Sequence, residues 1–190
     1  NEILFAFAVD NEQSVSWGAS TYIVCAQTSS LYGAEMGVGT QSWGMFRCRS
    51  QIPPLYETND KRNLFYTTDR DPKITDVGDE NVGYFYKKWN NLTDEKAPAK
   101  TTDGVCTDLP IIRLADVYLM LAESYLRGAT NITLTEALGY VNKVRERAFG
   151  NSTGNIQAVD LTLDFILDER ARELSIEMVR RTDLVRFDRF

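Results

Sequence analysis

Histidine is absent from this 190-residue chain. That absence removes Ser-His and Cys-His nucleophilic pairs, imidazole metal ligands and the usual near-neutral acid or base. Any catalysis would have to rest on carboxylates, Tyr or Lys. Cysteine is scarce: Cys25, Cys48 and Cys106 are odd in number and lack CxxC spacing, so neither a zinc site nor a disulfide framework is indicated. A Cys25 to Cys48 bridge stays open, with free thiols the expected state. Long apolar runs are missing too. The longest candidate, at 111–126, is interrupted by Arg113, Asp116 and Glu123, so nothing reads as a membrane-spanning helix. Basic residues are rare early on, where positions 1–60 hold only Arg47 and Arg49 against six acidic side chains. A net charge of −6 and a pI near 4.8 argue against nucleic acid as a partner, because neutralising phosphates needs clustered Lys and Arg. The opening Asn1-Glu2-Ile3 has no initiator Met, basic n-region or apolar h-region, so the expectation is a piece of a longer protein with any targeting signal outside it.

What is present is ordinary globular material, 43% hydrophobic and 25% charged, enough for one real core. ILFAFAV at 3–9 predicts a short buried strand closed by Asp10-Asn11. Residues 14–50, dense in Ser, Gly and aromatics, read as ordered loops. Pro53-Pro54 can open a short helix. NLFYTT at 63–68 and VGYFYKKW at 82–89 are aromatic, strand-favouring runs that could pair as a hairpin across a long polar connection. Residues 90–108 are polar and aperiodic, as in a surface loop.

After Pro110 the period becomes 3.6. Leu114, Val117, Tyr118, Leu121 and Tyr125 share one helical face, with a second stripe at Ala115, Leu119 and Leu126 and a polar wedge of Asp116, Glu123 and Arg127. Gly128 stops that helix, Thr133 or Thr135 caps the next, and Ala137, Val141, Val144 and Ala148 point inward before Gly150 ends it. A third helix is expected over 162–181. It would carry Leu163, Ile166, Leu167, Leu174 and Met178 on one face and a column of Glu169, Glu173 and Glu177. Like charges at i,i+4 repel, so this column needs cations: Arg170 and Arg181 from its own helix, Arg113 or Arg145 from neighbours. The expected division is a loop- and strand-rich part at 1–108 and a helical part at 109–190.

ERARELSIEMVRRTDLVRF at 169–187 resembles the signature of the SusD/RagB family, with Glu169, Arg170, Glu173, Leu174, Glu177, Arg180 or Arg181, Asp183, Leu184 and Arg186 in order. PIIRLADVYLMLAES, VNKVRERA, GYFYKKW and NDKRNLFY resemble family segments in the expected succession, so the likeness covers most of residues 55–190. It implies a mainly α fold, with a tetratricopeptide-like helical hairpin, a long helix, short strands and long ordered loops. It further implies non-catalytic binding of glycan or another nutrient, no cofactor and no metal. It also implies an outer-membrane, surface-exposed lipoprotein, anchored by a lipid outside this chain and partnered by a SusC-like TonB-dependent transporter. The rival function is a helical interaction module without glycan binding.

Carboxylates that alternate with Arg are poor proton donors, since an adjacent guanidinium lowers a carboxyl pKa. Glu169, Arg170, Glu173, Glu177 and Arg181 therefore read as a structural ion-pair network. Sugar recognition needs flat aromatic faces and planar polar groups on ordered loops, and Trp17, Tyr22, Tyr32, Trp43 and Arg47 supply those types. Trp89 reads as core. Asp69, Asp71, Asp76 and Asp79 lack calcium-loop spacing and read as a solvated acidic loop.

Overall fold

The computed structural model describes residues 2–10, 13–14, 16–100 and 104–190. Among the described residues, five helices, a few short strands and long loops give a mainly α architecture. The chain divides into two compact units, one formed by residues 2–4, 55–63 and 112–190, the other by residues 5–54 and 64–111. Strand β1 (Ile3–Phe7) pairs with β5 (Leu109–Arg113) in a two-stranded sheet. The strand expected from ILFAFAV forms, yet Leu4, Phe5 and Phe7 are at least half exposed. A two-stranded ribbon brings no second layer of its own to bury them.

The first unit is built on α2 (Leu114–Leu126) and α3 (Leu134–Phe149), which pack as a helical hairpin. Gly128 follows α2 at φ 95, a conformation that costs glycine little. Thr133 opens α3 with a capping box: its Oγ1 accepts the Glu136 N–H, and the Glu136 carboxylate accepts the Thr133 N–H at 2.8 Å. Gly150 closes it in the left-handed conformation, and an added Cβ would lie 2.3 Å from the Lys61 Nζ. The core is narrower than the sequence pattern suggests. Ala115, Leu119 and Ala122 meet Ala137, Val141 and Val144, with Ile166 beneath. The alanines let the helix axes approach, and full burial of Leu119 contributes about 1.5–3 kcal/mol. Glu123, expected in the polar wedge, is buried and held by Arg127 and Arg186 at 2.7 and 2.6 Å.

The helix expected over 162–181 is shorter. α4 (Leu163–Glu173) starts on Thr162, whose hydroxyl accepts the Phe165 N–H, and ends at Glu173. At its end the Leu174 N–H donates to the Arg170 carbonyl at 2.9 Å and the Arg113 side chain donates to the Glu173 carbonyl at 3.1 Å. Positive φ at Ile176 and Met178 then turns the chain into α5 (Arg180–Arg186), leaving Met178 exposed.

In the second unit, the stretch expected as loops contains α1 (Ala19–Gln27). Most of its residues are buried, Thr21, Ile23 and Val24 among them, so no one-sided period marks it, and its β-branched side chains favour strands. Strands β2 (Arg47–Cys48), β3 (Phe65–Tyr66) and β4 (Tyr84–Tyr86) form an antiparallel sheet in the order β2-β4-β3. The two aromatic runs do pair, with Phe65 opposite Tyr86 and Tyr66 opposite Phe85. Their connection is gripped by Arg47, which donates to the carbonyls of Asp76, Val77, Asp79 and Val82, and by Arg70, which donates to those of Glu80 and Gly83. Asp71, Asp76 and Asp79 accept backbone N–H groups two residues ahead, so these carboxylates build turns. Phe85 is fully buried against Val24, Cys25, Tyr32, Met36, Val38 and Val105. Cys25 and Cys48 are free and buried, and burial pushes both thiols up to about 11.

Candidate functional site

The C-terminal end of α1 prepares an aromatic surface. A helix end leaves its last carbonyls without intrahelical donors, and here the segment 42–46 supplies them. Trp43 N–H donates to the Cys25 carbonyl at 2.9 Å, Met45 and Phe46 N–H to that of Ala26 at 2.8 Å, and Gly44 N–H to that of Thr28 at 2.9 Å. Gly44 holds φ at +59, where a side chain would strain the turn. The backbone carrying Trp43 is therefore locked to the helix.

On this support Trp17 and Trp43 stack with ring centroids 6.5 Å apart and planes 24° from parallel. Tyr22, on α1, lies 6.1 Å from Trp43 and meets Phe46 edge-on at 5.3 Å. Trp17 is 52% exposed and Tyr22 38%, while Trp43 is half-buried against the unit's core. Three of the five expected aromatic-loop residues thus converge on one patch. Tyr32 and Arg47 do not join it. Tyr32 is 5% exposed, stacks on Tyr66 at 4.7 Å and donates its hydroxyl to the carbonyls of Gln27 and Tyr86. Burial pushes its phenol pKa up. Arg47 spends its guanidinium on the backbone of the 76–82 loop. Phe46, absent from the sequence reading, supports Tyr22. A signal for it existed in the run QSWGMF, where aromatics flank a glycine.

The charged segment forms a second concentration of chemistry, in the first unit. Glu169, wholly buried, accepts from Arg62 at 2.7 Å, Arg172 at 2.7 Å and Arg145 at 3.1 Å. Glu173 accepts from Arg147 at 2.5 Å, Arg113 at 2.9 Å and Arg62 at 3.2 Å. Glu177 lies beyond the end of α4 and binds Arg113 at 2.8 Å. The cations serving the three glutamates thus come from 55–63, β5, α3 and α4. Arg170 points the other way, to Asp183 at 2.9 Å and Asp116 at 2.6 Å. Arg181 lies over the Phe190 ring. Burial alone would push the Glu169 carboxyl up, yet the guanidiniums of Arg62, Arg172 and Arg145 outweigh it and hold it below the ordinary range. Asp60 and Glu123 are likewise lowered, burial again being overcome by Arg62 for the first and by Arg186 and Arg127 for the second. Carboxylates held ionised cannot donate protons near neutrality. Among the described residues, no three metal-ligating side chains cluster, and no helix is long and apolar enough to cross a membrane.

The SusD family model matches residues 57–190. Starch-binding protein SusD of Bacteroides thetaiotaomicron is 39% identical over 103 residues, 54% of this chain and 17% of that protein. A SusD-like protein of Bacteroides ovatus is 28% identical over 170 residues, 84% of this chain and 30% of its own length. In fold, the chain resembles Surface glycan-binding protein A from Bacteroides thetaiotaomicron in complex with laminarihexaose, with a TM-score of 0.70 and 22% identity, over 99% of this chain and 43% of that one. A SusD superfamily protein from Parabacteroides distasonis matches with a TM-score of 0.66 and 18% identity, over 98% of this chain and 39% of that one. The chain spans less than half the length of each of these relatives. With the family model matched across the charged segment and the helical hairpin, and with the fold of solved members over nearly its whole length, this chain belongs to the SusD family.

Proposed function

We propose that the chain is the glycan-contacting part of a non-catalytic nutrient-binding lipoprotein at the bacterial outer membrane, which hands its ligand to a SusC-like TonB-dependent transporter. The observation that carries the reading is the Trp17–Trp43 stack with Tyr22 beside it, a half-exposed aromatic surface on a backbone locked to α1. Flat indole faces suit the apolar side of a pyranose. The printed ligands of relatives, starch for one and laminarihexaose for another, support glycan as the class. A binding role without catalysis is supported by the charged groups, whose carboxylates are committed to arginines. Delivery to a transporter and anchoring by lipid rest on family membership.

The rival reading, a helical interaction module, has its own support in a cavity of about 230 Å³ lined by Tyr118 and Leu114 of α2 and Lys143 and Arg147 of α3. Affinity electrophoresis against starch and laminarin separates the two. Retardation that disappears in Trp17→Ala supports the aromatic surface as the site. Retardation unchanged in that variant removes the surface from the proposal, and no retardation on any polysaccharide favours the interaction module.

A further inference from the structure

The cavity of about 230 Å³ in the helical unit carries a charge that the fold leaves unanswered. Its apolar side is formed by Leu114, Ala115 and Tyr118 of α2 with Val144 of α3, and its polar side by Lys143 and Arg147 of α3 with Glu2. Lys143 and Arg147 stand four residues apart on one helix, so their charges repel unless anions are near. Arg147 has two, Glu2 at 3.0 Å and Glu173 at 2.5 Å. Glu2, the one carboxylate on the lining, turns its other oxygen to Arg113. Lys143 has no such answer. Among the described residues its ammonium meets no carboxylate and lies instead over the rings of Tyr118 and Tyr140, at 5.4 and 5.6 Å from their centroids.

This arrangement places an exposed cation at the edge of an apolar hollow. The two tyrosine rings stack with centroids 5.1 Å apart and planes 19° from parallel, and both are half-buried, so the surface beneath the ammonium is fixed. Ring quadrupoles attract the ammonium without neutralising it, which leaves its charge to receive an anion. The ligand that fits is small, because the volume lies below the roughly 300–1,000 Å³ of drug-sized sites. It carries a negative charge for Lys143 and an apolar flank for the opposite wall. A pyranose bearing a carboxylate or a sulfate has all three properties, since one side of a sugar ring presents mainly C–H groups.

We propose that this cavity binds one anionic sugar residue of an acidic glycan, with Lys143 as the group that receives its carboxylate or sulfate. The sugar class rests on the glycan reading above, while the charge preference rests on the cavity. The ¹⁵N-labelled chain, at neutral pH and low salt, is titrated separately with glucuronate, glucose 6-sulfate, glucose and acetate, and the amide resonances of Lys143, Val144 and Arg147 are followed. The expected result is a saturable shift with at least one of the two anionic sugars, at a Kd on the order of 1–10 mM, as befits a ligand of about a dozen heavy atoms. Glucose and acetate should each bind at least ~10-fold more weakly, and about 0.5 M salt should weaken the anionic sugar severalfold. Lys143→Gln should lose about tenfold in affinity with an unchanged urea midpoint, because this side chain is exposed and holds no carboxylate. Trp17→Ala should leave the titration as it is. Starch and laminarin, the probes of the aromatic surface, are neutral, so either site can fail its test while the other passes. The proposal is overturned if neither anionic sugar gives a saturable shift, if glucose or acetate binds as tightly, or if Lys143→Gln binds as the native chain does. A shift that disappears in Trp17→Ala assigns the binding to the aromatic surface and overturns it equally.

Discussion

Replacing Glu169 with alanine should cost about 4 kcal/mol of folding free energy, within the ~3–5 kcal/mol seen when one partner of a buried ion pair is removed. The structure sets the figure within that span. Glu169 is wholly buried and faces three guanidiniums. When it goes, Arg62 keeps Asp60 and Glu173, and Arg145 keeps Glu57 and the Gly154 carbonyl. Arg172 keeps the Leu55 carbonyl and the face of Phe165, so one buried guanidinium loses the carboxylate it is ion-paired with. Asp164→Ala is the control, because its partner Arg189 and Asp164 itself are both exposed, at 57% and 74%. That loss should stay below ~0.5 kcal/mol. Urea unfolding followed by circular dichroism reads the difference. With an m-value of about 2 kcal/mol per M, the Glu169→Ala midpoint should fall by about 2 M and the control's by less than ~0.3 M. If Glu169→Ala moves the midpoint no further than the control, these glutamates form a solvated face and the reasoning fails.

Stability of the native chain should be flat above pH 6 and fall below about pH 4.5. Folding lowers the carboxyl pKa values of Glu169, Asp60 and Glu123, so their contribution is present above the unfolded values near 4 and is lost as pH drops through the folded ones. Urea midpoints at pH 7, 5 and 3.5 check this, and Glu169→Ala should show a smaller acid decline. Trp17→Ala should weaken polysaccharide binding by about 1–3 kcal/mol with little change in thermal midpoint, whereas Trp43→Ala should lower both, since Trp43 also packs on the core. Equal thermal losses in the two variants would make both tryptophans core residues. Thiol titration with a disulfide reagent at pH 8 should modify Cys106 first, because burial pushes the Cys25 and Cys48 thiols up to about 11. Simultaneous reaction of all three would contradict that burial.

Residues whose meaning is local were legible in advance. The 3.6 period after Pro110, the Thr133 cap and the Gly150 stop depend on neighbours within a few positions, and α3 follows them. Aromatic, strand-favouring runs likewise marked β3 and β4. Where burial wraps an element on most sides, no period survives, and α1 went unmarked in a stretch that read as loops. The shared surface of Trp17, Tyr22 and Trp43 follows from the orphan carbonyls of α1 drawing in 42–46, a contact between segments that pattern cannot report.

The ion network draws the same line. From the chain alone it followed that a column of like-charged glutamates requires cations, since that repulsion is set by spacing. Which arginines answer was decided by folding. Residues 55–63 join the C-terminal helices and bring Arg62 to Glu169, Arg113 from the end of β5 closes α4 at Glu173, and Arg170 turns away to Asp116 and Asp183. Sequence dictates the charge that must be balanced because each carboxylate carries its own demand. Only tertiary structure assigns the partners, because an ion pair is strong or negligible according to a few ångströms and the loss of water around it.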